Sequence, residues 1–414
     1  MPDPANRAAE IGEAIVRYCE DLVRIPTVNP PGDRYEDLCR YLVEVLGRLN
    51  CDAEMVRVPA ELAGELYPWG KAYPRASVVG MYRGSRSQGP GLHLSGHFDV
   101  VPAGTGWARH PFEPVREGGK LFGLGASDMK GGIASILGAI HALADLEVEL
   151  GGELTFSFTP DEETGGHAGV GYLARHGYVR GDFGIIAEPS QPHGFTIGHR
   201  GVLWVEVVAK GRTAHGSVPH KGVNAFEKIV AVASALKRLE EQLKQKQTAF
   251  PVIEPQQRSP TLMMGGVVRG GVKTNVVPDE CMMTIDRRLI PEETVEEAYR
   301  EIREVIDELK QRDPALEVAL TTPLRIEPSH VPPDHILCSA LAECHAEVHG
   351  KRPVGVLSPG FNDGHYLTRD LGIPTITYGP GWAGMAHSPD EYVLVDDLVR
   401  TSQVFTKAVL RLVG

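Results

Sequence analysis

Two adjacent carboxylates, Glu162 and Glu163, close the alternating apolar run ELTFSFTP. Such a pair suits a metal-dependent hydrolase, because one carboxylate can hold a cation while its neighbour moves protons. The pair alone is weak evidence, since most Glu-Glu pairs lie on solvated helix surfaces. The evidence becomes stronger because four other segments place further metal ligands at or after predicted strand ends: GHFDVVP, ASDMKGG, IIAEPS and MAHSPDEY.

The segment GHFDVVP contains His97 and Asp99. Side chains repeat every two residues along a strand, so we expect these two to face the same way. His97 would then bind a metal through one ring nitrogen, while Asp99 fixes the orientation of the ring. The alternative is a core histidine beside a capping aspartate, which is the commoner meaning of an isolated HxD.

The other three segments each place one candidate ligand in a loop. Asp128 precedes a predicted helix, so it could bridge two cations or simply cap the helix N-terminus. Glu188 follows an apolar strand, where an unpaired carboxylate is costly and a metal partner would explain its presence. His387 lies in a Gly-rich loop, GPGWAGMAHSPDEY, where a histidine is usually just exposed.

These side chains provide imidazole and carboxylate ligands without sulfur. Such a set suits zinc, with cobalt or manganese as alternatives. Two metal ions about 3.5–4 Å apart can stabilise both the attacking and the leaving oxygen of a hydrolysis. The residues therefore predict a two-metal hydrolase whose general base is either Glu162 or Glu163.

The elements that position these residues alternate between helix and strand. This alternation predicts a doubly wound, mostly parallel α/β sheet, whose ligands lie beyond the carboxyl ends of the strands. Helices are predicted at 5–24, 34–49, 130–146, 333–349, 363–370 and 395–412. Strands are predicted at 76–82, 91–101, 153–159, 183–187 and 375–378.

The middle of the chain has a different pattern. Its elements follow the order βαββαβ, which is the ferredoxin-like arrangement of two helices on one face of an antiparallel sheet. They are predicted at 202–209, 223–246, 262–268, 280–289, 294–310 and 316–321. We therefore predict a discontinuous catalytic domain, 1–197 and 324–414, with an inserted lid and dimerisation domain, 198–323.

Composition excludes several classes of protein. The 414 residues include 42 basic and 54 acidic side chains, a net charge of −12 that argues against a nucleic-acid partner. The 6 cysteines have no CxxC spacing and are interpreted as reduced thiols. The N-terminus lacks the basic and apolar regions of a secretory signal, and no apolar run is long enough to span a membrane. We therefore expect a cytoplasmic protein.

An ordered set of motifs resembles those of one family of dizinc peptidases and deacylases over nearly the whole chain: GHFDVVP, LFGLGASDMKGG, PDEETGG, AEPS, TAHGSVPH, TNVVPDE, IDRR and AHSPDEY. That family contains acetylornithine deacetylase, succinyl-diaminopimelate desuccinylase, aminoacylase and glutamate carboxypeptidase. The resemblance implies that Asp128 bridges two zinc ions. It places His97 and Glu188 on one ion, and Glu163 and His387 on the other.

The resemblance also assigns the base and the residues of the inserted domain. It implies that Glu162 takes a proton from the attacking water and passes it to the leaving amine. His215, in TAHGSVPH, would come from the partner subunit of a homodimer and stabilise the tetrahedral oxyanion. Asn275 and Arg288 would hold the carboxylate of the substrate, which a planar guanidinium can bind with two hydrogen bonds. Gly360 would line the substrate pocket.

Three residues depart from the family pattern or lie outside these roles. Arg287 would point to the opposite strand face from Arg288 and is interpreted as a surface charge. His365 stands where desuccinylases and several relatives carry arginine, and Leu124 stands where an arginine is common. Desuccinylation is therefore not our first choice of reaction.

We predict a zinc-dependent amidohydrolase that cleaves the amide bond of N-acyl amino acids with water activated by two zinc ions. A dipeptidase or carboxypeptidase that uses the same residues on a peptide bond is the first alternative. A non-catalytic binding module with a vestigial metal site is a distant one. Such a module should lack the base or the bridging ligand, whereas Glu162 and Asp128 are both present.

Overall fold

The computed structural model describes residues 3–86, 88–190, 192 and 194–414. The chain forms two compact units. The first unit comprises Met1–Gly198, His330–Val356 and Asn362–Gly414, and the second comprises His199–Ser329 and Leu357–Phe361. None of the helices in the described part of the chain is long and apolar enough to cross a membrane.

The secondary structure alternates along both units. The helices are α1 (Pro4–Glu10), α2 (Gly12–Arg24), α3 (Tyr35–Arg48), α4 (Ala60–Leu66), α5 (Lys130–Asp145), α6 (Val170–Arg175), α7 (Ala225–Leu243), α8 (Val295–Arg312), α9 (Ile336–His349) and α10 (Val395–Val413). The strands are β1 (Cys51–Arg57), β2 (Ala76–Tyr82), β3 (Gly91–His97), β4 (Val115–Glu117), β5 (Lys120–Phe122), β6 (Glu153–Thr159), β7 (Phe183–Ile186), β8 (Thr196–His199), β9 (Gly201–Lys210), β10 (Thr261–Gly270), β11 (Glu280–Leu289), β12 (Glu317–Ile326), β13 (Ser329–His330), β14 (Val356–Ser358), β15 (Thr375–Thr377) and β16 (Tyr392–Leu394).

The large sheet has the strand order β1-β2-β6-β3-β7-β15-β8-β13, and β14 pairs with β8. Strands β6, β3, β7 and β15 run parallel to their neighbours in this group. Strands β1, β2 and β8 join the sheet antiparallel. The predicted mostly parallel α/β sheet, with strands from both ends of the chain, is confirmed. Residues that follow β3, β6 and β7 therefore lie along one edge.

Helix α5 packs against β3, one of the strands that end at this edge. Nearly all of its residues are buried, because it packs against α2, α10 and β3. A Cβ atom at Gly138 would lie 2.5 Å from Ser402 Oγ and 2.6 Å from Ile15 Cγ1, so only glycine allows this close approach.

The second unit has the predicted order βαββαβ. Its antiparallel sheet has the strand order β10-β11-β9-β12, and α7 and α8 pack against one face of it. Alternate residues of β9 face these helices and are buried, namely Leu203, Val205, Val207 and Ala209. The ferredoxin-like prediction is confirmed for this part of the chain.

Several local predictions differ from the structure, and the predicted helix 363–370 is a five-residue π-helix, Tyr366–Asp370. The predicted helix 5–24 is two helices, α1 and α2, separated at Ile11; the glycine that follows disfavours helix continuation. The predicted strand 91–101 ends at His97. The edge strand β1 and the short helix α4 were not predicted, because charged residues interrupt the apolar pattern of β1.

Candidate metal centre

Six candidate ligands from five segments converge in the first unit. His97 is the last residue of β3, and Asp128 lies two residues before α5. Glu162 begins a short 3-10 turn, Glu162–Thr164, that follows β6 and also contains Glu163. Glu188 lies two residues after β7. The sixth, His387, belongs to the loop before β16.

The first group of ligand atoms comes from His97, Glu162 and Glu188, and these atoms all lie within 4.8 Å of one another. The Nε2 atom of His97 is 3.2 Å from Glu188 Oε1 and 3.9 Å from Glu162 Oε2. His97 is 2% exposed. This group is therefore a set of largely buried ligand atoms that could hold a cation.

The second group comes from Asp128, Glu163 and His387, within the same 4.8 Å limit. The Nε2 atom of His387 is 2.9 Å from Glu163 Oε1. The two oxygens of Asp128 are divided between the groups: Oδ1 is 3.2 Å from His97 Nε2, and Oδ2 is 3.7 Å from His387 Nε2. Asp128 thus lies between the two imidazoles, as a bridging carboxylate would.

Asp99 lies beyond the end of β3 yet still contacts the His97 ring. The Nδ1 atom of His97 is 3.1 Å from the Asp99 carbonyl oxygen and 3.4 Å from Asp99 Oδ1. The Asp99 carboxylate also accepts the backbone N–H groups of Glu162, at 3.2 Å, and of Glu163, at 3.3 Å. A proton held on Nδ1 leaves the Nε2 lone pair directed at the cluster.

The electrostatics of the cluster favour bound positive charge. Burial alone would lower the pKa of His97, but the carboxylates of Glu188 and Asp128 outweigh it and raise this pKa well above its ordinary value. Burial and repulsion from Asp128 raise the pKa of Glu188 to about 8. The hydrogen bond to Glu163 raises the pKa of His387 to about 9. A cluster that holds protons so strongly carries an excess of negative charge.

The helix-cap alternative for Asp128 is wrong. The residue at the N-cap of α5 is Met129, and no side chain caps that helix. The backbone N–H of Asp128 instead donates to Glu391 Oε1 at 3.0 Å, as does that of Ser127 at 2.8 Å. Glu391 is 1% exposed. Sequence reasoning missed this support, although Glu391 lies within the AHSPDEY motif.

His215 and Asn275 lie in the second unit, in two segments that touch. An isolated bridge joins His215 to Val276, and the Gly216 N–H donates to the Asn275 carbonyl oxygen at 2.8 Å. The His215 ring is exposed, and its Nδ1 is 2.8 Å from Ser217 Oγ. The imidazole is therefore presented to solvent with one nitrogen already engaged.

The arginines of β11 differ from the prediction in one respect. Arg288 is half-buried and makes two hydrogen bonds with Asp286, at 2.7 and 2.9 Å. Arg287 is fully buried, not a surface charge, because its strand face is the one that packs against the helices. It pairs with Glu293 at 2.6 Å and with Glu301 at 3.3 Å.

Gly360 and His365 lie in the two different units. A Cβ atom at Gly360 would meet only Ser358 Oγ, at 3.9 Å, so this position of the second unit has open space beside it. His365, in the first unit, is buried. Its Nδ1 is 2.9 Å from the Asn362 carbonyl oxygen, and its ring lies 4.0 Å from the Tyr366 ring.

A comparison with protein families gives one match. The model of Peptidase family M20/M25/M40 matches residues 93–411. This range includes each of the six candidate ligands described above. It begins after the segments that form α1 to α4, β1 and β2.

Related proteins match almost the full chain. An N-formyl-4-amino-5-aminomethyl-2-methylpyrimidine deformylase of Bacillus subtilis (strain 168) is 28% identical, over 96% of this chain and 94% of its own. A succinyl-diaminopimelate desuccinylase of Methylobacterium radiotolerans is 31% identical, over 97% of each chain. The crystal structure of human carnosine dipeptidase 1 has the same fold, with a TM-score of 0.75, 18% identity and 99% of each chain covered.

Proposed function

The chain belongs to Peptidase family M20/M25/M40, and we propose that it is a two-metal amidohydrolase that releases free amino acids from N-acyl amino acids. The relatives of this chain hydrolyse amide or peptide bonds. Both sequence relatives named above are deacylases by name, one a deformylase and one a desuccinylase. Removal of an acyl group is therefore the favoured reaction.

The position of the Asp128 carboxylate between two imidazoles is the main support for this proposal. The carboxylate of Asp128 has one oxygen 3.2 Å from the His97 imidazole and the other 3.7 Å from the His387 imidazole. A side chain that only stabilised the fold would need one such partner. A carboxylate placed between two imidazole-containing groups could instead bind one of two neighbouring metal ions through each of its oxygens.

The donor set fits zinc, with cobalt or manganese as alternatives. We propose that His97 and Glu188 hold one ion, that Glu163 and His387 hold the other, and that Asp128 is common to both. The donors are imidazole nitrogens and carboxylate oxygens, without thiolate. Bound ions of this kind would polarise a carbonyl group. They would also lower the pKa of a bound water, so that it can lose a proton and act as a nucleophile at neutral pH.

Glu162 is the proposed general base. Glu162 is 8% exposed, and its Oε2 lies 3.9 Å from His97 Nε2. Glu188 lies closer to the same atom, at 3.2 Å. The longer distance supports a role for Glu162 beside the metal site and not as a ligand. Glu162 would accept a proton from the attacking water and then donate it to the nitrogen of the leaving amine.

Residues of the second unit are proposed to bind substrate and stabilise the oxyanion. The exposed imidazole of His215 suits a role at the active site of a partner subunit. Asn275 lies beside it and would bind the carboxylate of the substrate, with Gly360 lining the pocket. Arg288 would join this carboxylate site only by exchanging its hydrogen bonds with Asp286 for bonds to the substrate.

We also propose a homodimer formed through the second unit, which then serves as the lid and dimerisation domain. Its edge strand β10 exposes Met263 and Val268, at 52% and 54%. Helix α7 exposes Phe226 and Val230, at 52% and 46%. An apolar edge strand of this kind is stabilised by pairing with another chain.

The six cysteines are all buried and unbridged, which supports a reducing compartment such as the cytoplasm.

A substrate panel tests the proposed function. Purified protein loaded with zinc, cobalt or manganese would be assayed on N-formyl, N-acetyl and N-succinyl amino acids and on dipeptides. We expect hydrolysis of at least one N-acyl amino acid to exceed that of every dipeptide, and chelation to abolish it. Preference for dipeptides would make the protein a peptidase, and zinc-loaded protein inert on the whole panel would contradict the proposal.

A further inference from the structure

A buried asparagine far from the candidate ligands in sequence lies beneath the turn that carries both glutamates. Asn29, in the segment TVNPPGD, is 1% exposed. Its Nδ2 atom lies 2.9 Å from Asp99 Oδ2, 3.3 Å from Asp161 Oδ1 and 3.1 Å from Thr164 Oγ1. These three acceptors surround the turn Glu162–Thr164. The amide therefore joins the turn to the residue that orients His97.

The orientation of this amide is determined from both sides. The carboxylate oxygens of Asp99 and Asp161 can only accept hydrogen bonds, so the NH2 group of Asn29 must face them. The opposite end, Asn29 Oδ1, accepts a hydrogen bond from the Tyr67 hydroxyl at 2.7 Å. Tyr67 follows α4 and is 8% exposed. Its hydroxyl thus holds the amide in the orientation that the two carboxylates require.

Asp161, immediately before Glu162, is held by the same part of the chain. Its backbone has a φ of +67°, an unusual conformation for a residue other than glycine, and one that needs support from its surroundings. Its carboxylate receives hydrogen bonds from Arg75 at 2.8 Å and from Tyr35 at 2.9 Å. The Arg75 guanidinium is fully buried, and it lies 4.4 Å from the centre of the Tyr67 ring.

These contacts converge on the backbone of the two glutamates. Asp99 accepts the N–H groups of both Glu162 and Glu163. Asn29 donates a hydrogen bond to the same Asp99 carboxylate and so restricts its position. We propose that Asn29 and Tyr67 are positioning residues that set the placement of Glu162 and of the His97 ring through Asp99 and Asp161. The inference rests on the proposed hydrolase function. Both residues lie outside the range 93–411 that matches the family model.

The variant Tyr67→Phe tests this role, because it removes one hydroxyl and keeps the ring. We expect kcat to fall about 10-fold and zinc affinity to weaken by a similar factor, as for other groups that orient metal-binding side chains. The KM is expected to stay within about two-fold, because no substrate contact is removed. Zinc affinity is measured by competition with a chelator, independently of activity.

Tyr82→Phe is the matched control. Tyr82 is fully buried, and its hydroxyl donates to the Val148 carbonyl oxygen at 3.0 Å. Among the residues that the structure describes, no hydrogen bond joins this hydroxyl to the candidate ligands. Both variants lose one buried hydrogen bond, so we expect similar decreases in melting temperature. Only Tyr67→Phe should show a lower kcat and a weaker affinity for zinc. Equal losses in the two variants would show a general effect on stability and would overturn the proposal.

A double-mutant cycle with Asn29→Ala tests the connection between the two residues. If the Tyr67 hydroxyl acts through the amide, Tyr67→Phe has no further effect on kcat or zinc affinity in the Asn29→Ala protein. Multiplicative losses, or wild-type values in Tyr67→Phe, would overturn the inference. An inactive wild-type protein would instead contradict the proposed function, and the zinc affinities would still decide whether these residues position the ligands.

Discussion

Single residues with the same chemistry have different roles in the proposed site. Glu162 and Glu163 are neighbours, and Asp99 accepts both of their backbone N–H groups. Only Glu163 contacts His387, at 2.9 Å, whereas Glu162 lies 3.9 Å from His97. The proposed base and the proposed ligand are therefore neighbours in the backbone, and they differ in the partners that their side chains approach.

The two glutamates can be distinguished by conservative substitution. We expect Glu162→Gln to keep both zinc ions while kcat falls about 10²–10⁴-fold, because the proton acceptor is lost and the ligands remain. Glu163→Gln should lose zinc as well as activity, because an amide oxygen is a weaker ligand than a carboxylate. Elemental analysis and steady-state kinetics measure both effects. Loss of zinc in Glu162→Gln would make that residue a ligand and contradict its assignment as the base.

The adjacent arginines of β11 allow a second comparison. Arg287→Met leaves Glu293 with less compensation in a buried position, so we expect the protein to lose about 3 kcal/mol of stability. Arg288 is half-buried beside Asp286, so Arg288→Met should change stability little and raise KM. Urea unfolding and kinetics of the two variants provide the test. A large loss of stability in Arg288→Met with unchanged KM would remove Arg288 from the substrate site.

The residues that could be predicted from sequence are those whose type alone indicates chemistry. His97, Asp128 and Glu163 have ligand side chains at strand or helix ends, and the structure brings them together. Asn29 and Glu391 could not be predicted, because an amide or a carboxylate in a loop has no distinctive signal. Their contacts with Asp99 and Asp128 span 70 and 263 residues of sequence. The same reasoning placed Arg287 on the surface, because strand alternation identifies opposite faces without showing which one the helices cover.

At the scale of elements, periodicity predicted the regular strands well. Strands β2, β6 and β11 have the predicted bounds, because their apolar residues face helices or neighbouring strands throughout. The strand β1 was missed because its outer positions are Asp52, Glu54 and Arg57. An edge strand needs few apolar residues, and its pairing with β2 becomes visible only in three dimensions.

Strand β3 contains a buried histidine whose protonation should limit stability in acid. His93 is fully buried, with its ring nitrogens 2.9 Å from Thr155 Oγ1 and 2.9 Å from Ser157 Oγ. Burial lowers its pKa to about 3. The unfolded chain would bind a proton below pH 6.5 that the folded chain excludes until about pH 3. Stability is therefore fully present above pH 6.5 and decreases as the pH falls through this window.

Comparison with His93→Gln isolates this effect, since glutamine does not titrate. We expect the free energy of unfolding of the native protein to fall with decreasing pH more steeply than that of the variant, by up to about 1.4 kcal/mol per pH unit. Urea unfolding between pH 4 and 7 measures both slopes. Parallel slopes would show that His93 is not held neutral in the folded state.

In the proposed homodimer, each active site of the whole molecule is completed by His215 of the partner subunit. The variants Glu162→Gln and His215→Ala should each be nearly inactive, because one lacks the base and the other the proposed oxyanion donor. In a mixed dimer, one active site receives an intact Glu162 and an intact His215. Random exchange of subunits at equal concentrations should restore about a quarter of native activity. No recovery, in a sample shown by light scattering to contain mixed dimers, would place His215 in the same chain as its site. An active His215→Ala variant before mixing would place this residue outside catalysis.

The proposed function depends on two metal ions, one on either side of Asp128. Anomalous X-ray scattering at the zinc absorption edge, from crystals of zinc-loaded protein, would locate these ions. We predict two peaks about 3.5–4 Å apart, one beside His97 and Glu188 and the other beside Glu163 and His387. A single peak, or two peaks too far apart for one carboxylate to contact both, would contradict the two-metal account.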